Sequence, residues 1–316
     1  MTSHGEAPGP VALRLEARDV PLGGLRAMQV RRALPHRALP TIGAWCFLDR
    51  FGPQRATMRV EPHPHIGLQT VTWPLEGEIR HRDTLGSDVV LRPGELNLMT
   101  AGAGIAHSEY SMGDSPTELD ALQLWVALPD HARHVDPSFE THRTLPTVEL
   151  AGRGGAGTAT VILGTLAGVT SPATAHTPIV GAQITVPAGA TLPLPLEPAW
   201  EHGVLVVDGT ATVADASGAL AMPDDGGVLY LGTGRESVAV GSPSGATVVV
   251  LGGEPLAERL VMWWNFVARD HDEIVAAWHD WNGRSARFGE VPGHGGVRIP
   301  APPMPDVRLT PRSRRV

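Results

Sequence analysis

Short apolar runs separated by turn residues dominate the first half of the chain. The runs occupy residues 11–18, 25–32, 45–48, 70–73, 89–91 and 122–126. Glu76-Gly77 and Pro93-Gly94 lie between them. Strands of this length, divided by glycine and proline at roughly 8–12-residue intervals, predict an all-β sandwich or barrel.

A second β-rich unit follows a polar segment at residues 129–146, which its prolines and histidines mark as a linker. Its apolar runs are at residues 148–150, 158–163, 184–186, 203–207, 211–213, 227–231, 237–240 and 246–251. Asp208-Gly209 stands between two of these runs and is typical of a two-residue hairpin. We therefore predict one unit at residues 11–135 and another at residues 147–300.

Helical spacing of apolar residues is concentrated near the C-terminus, at residues 254–265 and 270–281. Asp270 or Asp272 could cap the second segment. Residues 298–316 contain five prolines, which favours an extended tail. The pattern thus predicts a few short C-terminal helices after the second β-rich unit.

The two β-rich units resemble each other weakly. Leu75-Glu-Gly77-Glu and Val207-Asp-Gly209-Thr occupy matching places between apolar runs. An internal duplication of one β-barrel would explain both units.

Composition and charge narrow the function classes. The net charge is −8 and the pI is about 5.9, which argues against a nucleic-acid partner or an anionic membrane surface. All 25 basic residues are arginine, which excludes lysine Schiff-base chemistry and a P-loop lysine. The single cysteine, Cys46, excludes an intramolecular disulfide, and we interpret it as a buried apolar residue.

Nothing in the sequence indicates membrane insertion or secretion. No apolar run reaches the ~18 residues that a spanning helix needs. The first ten residues have neither a basic segment nor an apolar one, and we expect them to form a mobile tail. Together with the lone cysteine, this predicts a cytoplasmic location.

The sharpest chemical signal is Glu61-Pro-His63-Pro-His65. Residues i and i+2 of a strand face the same way, so His63 and His65 would present two imidazoles side by side. The flanking prolines favour an extended backbone and place this strand at a sheet edge.

A second pair of this kind, His107 and Glu109, follows downstream. If both strands contribute their pairs to one face, three imidazoles and one carboxylate converge. Such a ligand set suits Fe²⁺, Mn²⁺, Ni²⁺, Cu²⁺ or Zn²⁺, and four protein ligands leave coordination positions open for catalysis.

Other histidines and tryptophans receive structural interpretations. His81 is predicted on an exposed strand, the alternative being a hydrogen-bond donor to a ligand or a substrate contact. Trp73 is assigned to packing or to a pocket wall, and His202 to a structural role. The remaining histidines interpreted as solvent-exposed are His131, His134, His142, His271, His279 and His294.

These motifs resemble the pirin family. The resemblance runs from His63-Pro-His65 through residues 72–83 to residues 99–109, and again at residues 253–267 and 298–303. Pirins are cupins with two jelly-roll-like β-barrels in one chain, so the resemblance implies that fold. It also implies that the metal ligands are His63, His65, His107 and Glu109. Gln69 stands where the general cupin pattern has a glutamate.

The resemblance further implies a function. The family metal is usually iron, and several pirins oxidise flavonols with O₂ as quercetin 2,3-dioxygenases. We therefore expect an Fe²⁺-dependent dioxygenase for a small aromatic substrate such as a flavonol, with Glu109 as metal ligand and base in turn. Nickel, copper, manganese and zinc stay open, because the ligand types do not discriminate among them. A sugar isomerase is disfavoured, because no phosphate-binding arginine cluster adjoins the motif.

The alternative is a regulatory protein without turnover. The same iron would then act as a redox switch that alters an acidic surface docked on a protein partner. In the second barrel the counterparts of His63 and His65 are Pro195 and Glu197. We therefore expect that barrel to be metal-free, with a structural or partner-binding role.

Overall fold

The computed structural model describes residues 9–22, 28–223 and 226–315, and all structural statements concern these ranges. The first twelve strands are β1 (Leu13–Leu15), β2 (Arg18–Leu22), β3 (Met28–Leu34), β4 (Trp45–Ala56), β5 (Arg59–His65), β6 (Leu68–Glu76), β7 (Ile79–Asp83), β8 (Asp88–Leu91), β9 (Leu96–Thr100), β10 (Ile105–Ser111), β11 (Thr117–Ala127) and β12 (Ser138–His142). The later elements are β13 (Thr147–Gly152), β14 (Gly155–Leu166), β15 (Val169–Thr170), β16 (Ile179–Val186), β17 (Thr191–Pro195), β18 (Glu201–Gly209), β19 (Thr212–Asp215), β20 (Gly218–Leu220), β21 (Val228–Gly232), β22 (Ser237–Gly241), β23 (Ala246–Gly253), β24 (Val261–Trp263), β25 (Phe266–Ala268) and helix α1 (His271–Asn282).

Each half of the chain folds into a large and a small antiparallel sheet. In the first half a seven-stranded sheet, β12-β9-β6-β11-β4-β3-β2, accompanies a four-stranded sheet, β5-β10-β7-β8. In the second half β1-β21-β18-β23-β16-β14-β13, with β15 paired to β14, accompanies β17-β22-β19-β20. The predicted all-β fold with two barrels is confirmed, and the repeated pairing of a large with a small sheet agrees with an internal duplication.

The small sheet of the first barrel shows how sequence alternation positions side chains. In β7, Ile79, His81 and Asp83 are buried, whereas Arg80 and Arg82 are half-buried. Gly67, just after β5, has φ +67°, and an added Cβ would lie 2.1 Å from the carbonyl oxygen of Val267. Glycine is therefore needed where β25 approaches β5.

The two large sheets face each other across an apolar interface. Trp45 is fully buried there, and its indole N–H donates to the carbonyls of Val180 (3.1 Å) and Gly252 (3.2 Å). Trp73 donates to Gln183 Oε1 across the same interface at 2.8 Å. Trp73 therefore joins the barrels and does not line the pocket that the sequence allowed.

The fold departs from the predicted bounds 11–135 and 147–300 in three places, by strand pairing in two and by core packing in the third. Strand β1 pairs with β21 of the second barrel. Strand β12, from the segment predicted as a linker, pairs with β9 of the first barrel. The C-terminal layer packs back on the first barrel, where Phe266 and Ile274 share a core with Ile66 and Ala106. Segments from both ends of the chain therefore join the barrel formed mainly by the other half. The exact bounds of the two domains stay a prediction.

The C-terminal helices differ in number from the prediction. Within the described ranges, α1 is the sole α-helix, and Asp270 caps it by accepting a hydrogen bond from the Glu273 backbone N–H. Residues 254–265 are not helical, because Val261–Trp263 pairs with Phe266–Ala268 as a tight hairpin with Trp264 at φ +52°. Residues 298–315 form no regular element, as expected of the tail.

Two predictions fall partly outside the described ranges. The strand expected at residues 25–32 begins in the undescribed segment 23–27, and its described part lies in β3. Of the tail expected at residues 1–10, only residues 9 and 10 are described. The twelve-residue α1 is too short to cross a bilayer, and no helix among the described residues is suited to do so.

Candidate metal centre

Two neighbouring strands of the small sheet carry the predicted ligands. His63 and His65 lie on β5 at the sheet edge, as predicted, and His107 and Glu109 lie on the adjacent β10. In the antiparallel register His107 is directly opposite His63. The two i, i+2 pairs therefore face one pocket, which all four side chains line.

The three imidazoles converge closely. Their ring centroids are 4.4 Å apart for His63 and His107, and 5.0 Å apart for the other two pairs. Nε2 of His65 lies 3.1 Å from Nε2 of His107. Nitrogen atoms of all three rings lie within 4.8 Å of one another, and a second such group joins His107, Glu109 and His81.

Backbone carbonyls fix the tautomers of the two β5 histidines. Nδ1 of His63 is 2.9 Å from the Glu61 carbonyl oxygen, and Nδ1 of His65 is 3.1 Å from that of Asn265. A carbonyl only accepts, so each Nδ1 carries the proton. Each Nε2 is therefore left as a lone-pair donor.

A buried chain of hydrogen bonds from Asp83 through His81 fixes the tautomer of His107. Oδ2 of Asp83 accepts from Nε2 of His81 at 3.0 Å, and Nδ1 of His81 lies 3.3 Å from Nδ1 of His107. In the tautomer in which His81 donates from Nε2 to Asp83, its Nδ1 accepts from His107 Nδ1–H, which leaves Nε2 of His107 unprotonated. His81 also stacks on Phe139 of β12, with ring centroids 4.3 Å apart.

These hydrogen bonds leave two unprotonated Nε2 atoms, of His65 and His107, facing each other. Neither can donate to the other, so a shared cation is the partner that satisfies both. Burial lowers the pKa of His63 to about 4 and the pKa values of His65 and His107 well below their usual value. The imidazoles are thus neutral at pH 7, the form that binds metals. The donor set fits a divalent metal ion.

Glu109 completes the pocket as its carboxylate. Its Oε1 accepts from Thr72 Oγ1 at 3.0 Å, and 7% of the residue is exposed. Burial raises the pKa of Glu109, against the smaller effects of His81 and Thr72. A cation in the pocket would favour the ionised carboxylate.

Asp83→Asn is expected to weaken metal binding by about 10–100-fold, the range for losing a partner of a ligand. The amide oxygen can still accept from the N–H groups of Leu85 and Ser87, which keeps the turn. The amide NH₂ would face His81 Nε2, so His81 would carry its proton on Nδ1 and donate to His107. The His107 proton would then move to Nε2, where it blocks metal binding.

A chelator-competition titration measures this affinity. Asp88→Asn is the matched control, because Asp88 pairs with Arg80 on the exposed side of the same hairpin. Equal metal affinity of Asp83→Asn and wild type would contradict the proposal that Asp83 and His81 set the tautomer of His107.

The pocket around these residues has a volume of about 450 Å³. Aromatic residues form much of its wall: Phe47, Phe51, Trp125, Trp263 and Trp264. Three arginines from separate segments also line it: Arg18, Arg32 and Arg312. These arginines are distant from the motif in sequence, and folding brings them to the wall of the same pocket.

Several sequence interpretations need correction. His81 is 2% exposed and is bound to Asp83, so the exposed-strand interpretation is wrong. His294 is buried, with Nε2 2.9 Å from Ser108 Oγ, because the C-terminal segment covers the outer side of β10. His142 and His271 are half-buried, whereas His131, His134 and His279 are exposed as predicted. Gln69 is buried and donates to Thr100, away from the pocket.

Two interpretations of buried residues agree with the structure. Cys46 is fully buried, and burial raises the pKa of its thiol to about 12, so it is an inert core residue. His202 is also buried, and burial lowers its pKa to about 4.

Functional residues that the sequence interpretation missed include Asp83, Asn265 and Phe139. Asp83 stands two residues after His81, the same i, i+2 signal that identified the other pairs. Asn265 acts through its backbone and Phe139 comes from the supposed linker, so neither had a local signal.

The second barrel has a cavity at the corresponding place. Pro195, Glu197 and His202 line it. Both groups of converging ligands found in the described ranges lie in the first barrel. That the second barrel is metal-free stays a prediction.

Two jelly-roll-like barrels, one of them holding a cluster of three histidines and a glutamate, define a bicupin with a candidate metal site. The comparisons with known proteins identify the family. The sequence pattern of the Pirin family matches residues 27–126, and that of the Pirin C-terminal cupin domain matches residues 181–289. The chain belongs to the pirin family.

Its relatives are similar over nearly their whole length. A Pseudomonas aeruginosa protein, named as a candidate quercetin 2,3-dioxygenase, is 41% identical over 92% of this chain and 90% of its own. A Caulobacter vibrioides pirin-like protein is 35% identical over 92% and 99%. The crystal structure of a quercetin 2,3-dioxygenase from Acinetobacter baumannii is 40% identical, with a TM-score of 0.86, over 94% of this chain and 97% of that one.

Proposed function

We propose that this protein is a metal-dependent quercetin 2,3-dioxygenase that opens a flavonol ring with O₂ and releases carbon monoxide. The observation that carries the proposal is the convergence of the Nε2 atoms of His65 and His107, 3.1 Å apart, inside an aromatic pocket. The names of the relatives from Pseudomonas aeruginosa and Acinetobacter baumannii support the substrate class.

His63, His65, His107 and Glu109 would hold the metal, and Fe²⁺ is the ion we propose. When bound, the ion supplies Lewis acidity toward the enol oxygens of the flavonol and a redox partner for O₂. The donor set also admits nickel, copper, manganese and zinc. The neutral state of the three imidazoles keeps the site ready for the ion at pH 7.

Glu109 would take the proton of the substrate hydroxyl. Its carboxylate lines the pocket, and Thr72 occupies Oε1. When the bond between Glu109 and the metal opens, Oε2 can take the proton of the substrate hydroxyl. The hydrogen bond from Thr72 orients the carboxylate for this transfer.

The pocket wall would bind and orient the flavonol. Trp125 packs edge-on against His65, with ring centroids 5.1 Å apart, and Phe47 stacks on Trp125 at 4.0 Å. A flat aromatic substrate can stack along this wall with one end at the metal ligands. Trp263 and Trp264 of the β24–β25 hairpin also line the pocket, and their indoles would help to exclude water around a bound substrate.

The test is reconstitution of metal-free protein with Fe²⁺ under argon, followed by quercetin and O₂. We expect loss of flavonol absorbance and release of one carbon monoxide per flavonol, with none from metal-free protein. Parallel loading with Ni²⁺, Cu²⁺, Mn²⁺ and Zn²⁺ tests the choice of metal.

The reconstitution experiment has two distinguishable negative outcomes. Stoichiometric iron without oxidation would contradict the dioxygenase proposal and favour the redox-sensing regulator with a protein partner. Failure to bind any of the five metals would contradict the site itself. The cytoplasmic location is also part of the proposal, and fractionation of the source cells tests it.

A further inference from the structure

Three arginines gather in the wall of the pocket that the metal ligands also line. Arg18 and Arg32 are direct cross-strand partners in the β2–β3 register. Arg312, from the C-terminal tail, lines the same pocket. Like charges directly opposite each other on paired strands are destabilising, so the arrangement has a cost that a bound anion would offset.

The carboxylate nearest to these arginines forms a direct ion pair with only one of them. The Arg32 guanidinium donates two hydrogen bonds to the Asp49 carboxylate, with N···O distances of 2.7 and 2.6 Å. Arg18 donates to the Pro35 carbonyl at 3.0 Å. In the described part of the chain neither Arg18 nor Arg312 forms an ion pair with a carboxylate. Burial lowers the pKa of Arg18, and repulsion from Arg32 and Arg312 lowers it further, against the smaller opposing attraction of Asp49.

The tail that carries Arg312 is held in place. Arg314 forms an ion pair with the fully buried Glu201, with Nη2 2.7 Å from Oε2. The Arg315 backbone N–H donates to the Ala38 carbonyl at 2.9 Å. Glu201 also accepts from the Tyr230 hydroxyl at 2.8 Å. Arg312 is thus held in the pocket wall by its neighbours in sequence.

A row of aromatic side chains connects the arginines to the metal ligands, and we call it the aromatic wall. It begins at His65, continues through Trp125 and Phe47, and ends where the Arg32 guanidinium lies 4.4 Å from the Phe47 ring centre. A flat molecule bound along it would reach the metal ligands with one end and Arg18 and Arg312 with the other.

We infer that the substrate is a planar aromatic enol with an anionic group, a carboxylate or sulfate, at the end opposite the enol. This inference deepens the proposed function and rests on it for the enol. The guanidinium groups of Arg18 and Arg312 present planar forks of N–H donors that match the oxygens of either anion. The wall stacks the ring system between the two ends.

The experiment measures binding without turnover. Quenching of tryptophan fluorescence gives Kd for 3-hydroxyflavone-4′-carboxylate, its 4′-sulfonate and its neutral 4′-carboxamide, with Fe²⁺-loaded protein under argon. At low salt we expect one or both anions to bind at least about 10-fold tighter than the carboxamide, about 1.4 kcal/mol. The preference should shrink as salt screens the charges.

The double variant Arg18→Gln/Arg312→Gln should abolish the preference and leave the carboxamide Kd within about twofold of wild type, because its contacts with the wall are apolar. Arg308→Gln is the matched control, since this tail arginine pairs with Asp272 on the surface. It should keep the full preference.

Equal affinity for all three flavonols at low salt would overturn the inference, as would a preference that survives in the double variant. Oxidation of quercetin distinguishes this failure from that of the proposed function. Turnover without anion preference refutes the anion site alone. Anion preference without oxidation of either quercetin or the preferred anionic flavonol refutes the dioxygenase and leaves the anion site standing.

Discussion

His107→Ala is expected to abolish both metal binding and flavonol oxidation. His107 belongs to both groups of converging ligands, and its Nε2 faces that of His65 at 3.1 Å. Metal affinity should fall by more than about 100-fold, the upper loss when only a partner of a ligand is removed. Metal content after gel filtration and carbon monoxide release measure the two effects.

The control for this variant is His131→Ala, which removes an exposed histidine. It should keep wild-type metal content and rate. His107→Gln accompanies the alanine variant, because glutamine fills more of the buried space. A folded His107→Ala or His107→Gln protein with full metal content would contradict the ligand assignment.

The repeating patterns of the sequence predict the parts of this molecule that depend on local geometry. Alternation with a period of two places His63 beside His65 and His107 beside Glu109, and the structure directs both pairs into one pocket. Turn residues between short apolar runs likewise predict the two barrels. The ligand set itself stays a prediction until a metal is measured.

Residues that act through distant contacts were not predictable in this way. Asn265 supplies a backbone carbonyl to His65 from 200 positions away, and backbone groups leave no trace in residue type. Arg312 reaches the pocket because Arg314 binds Glu201, a pairing between residues 113 positions apart. Such contacts depend on how the barrels and the tail pack.

The pairing of strands with the opposite barrel could not be predicted for the same reason: it depends on contacts between residues far apart in sequence. Strand β1 has only three residues, and its pairing with β21 rather than with a nearby strand depends on which sheet edge is free. The polar composition of residues 129–146 indicated a linker. Phe139 nevertheless stacks on His81 there, because β12 completes the edge of the seven-stranded sheet.

Glu109 is proposed both as a metal ligand and as the base that takes the substrate proton. The variant Glu109→Gln tests these two roles separately. Glutamine keeps the size of the side chain and can still accept from Thr72, which donates to Oε1 at 3.0 Å. It cannot take a proton from the substrate hydroxyl. With iron loaded to the wild-type level, kcat should fall by about 10²–10⁴-fold, the usual contribution of a general base.

The measurement is single-turnover oxidation of quercetin by Glu109→Gln protein of known iron content, with Thr72→Val as the companion. Thr72→Val removes only the hydrogen bond that orients the carboxylate, so its rate should fall far less than that of Glu109→Gln. If the glutamine variant loses iron but oxidises at the wild-type rate per bound iron, Glu109 is a ligand alone. If it keeps iron and loses the rate, the proton passes through this carboxylate.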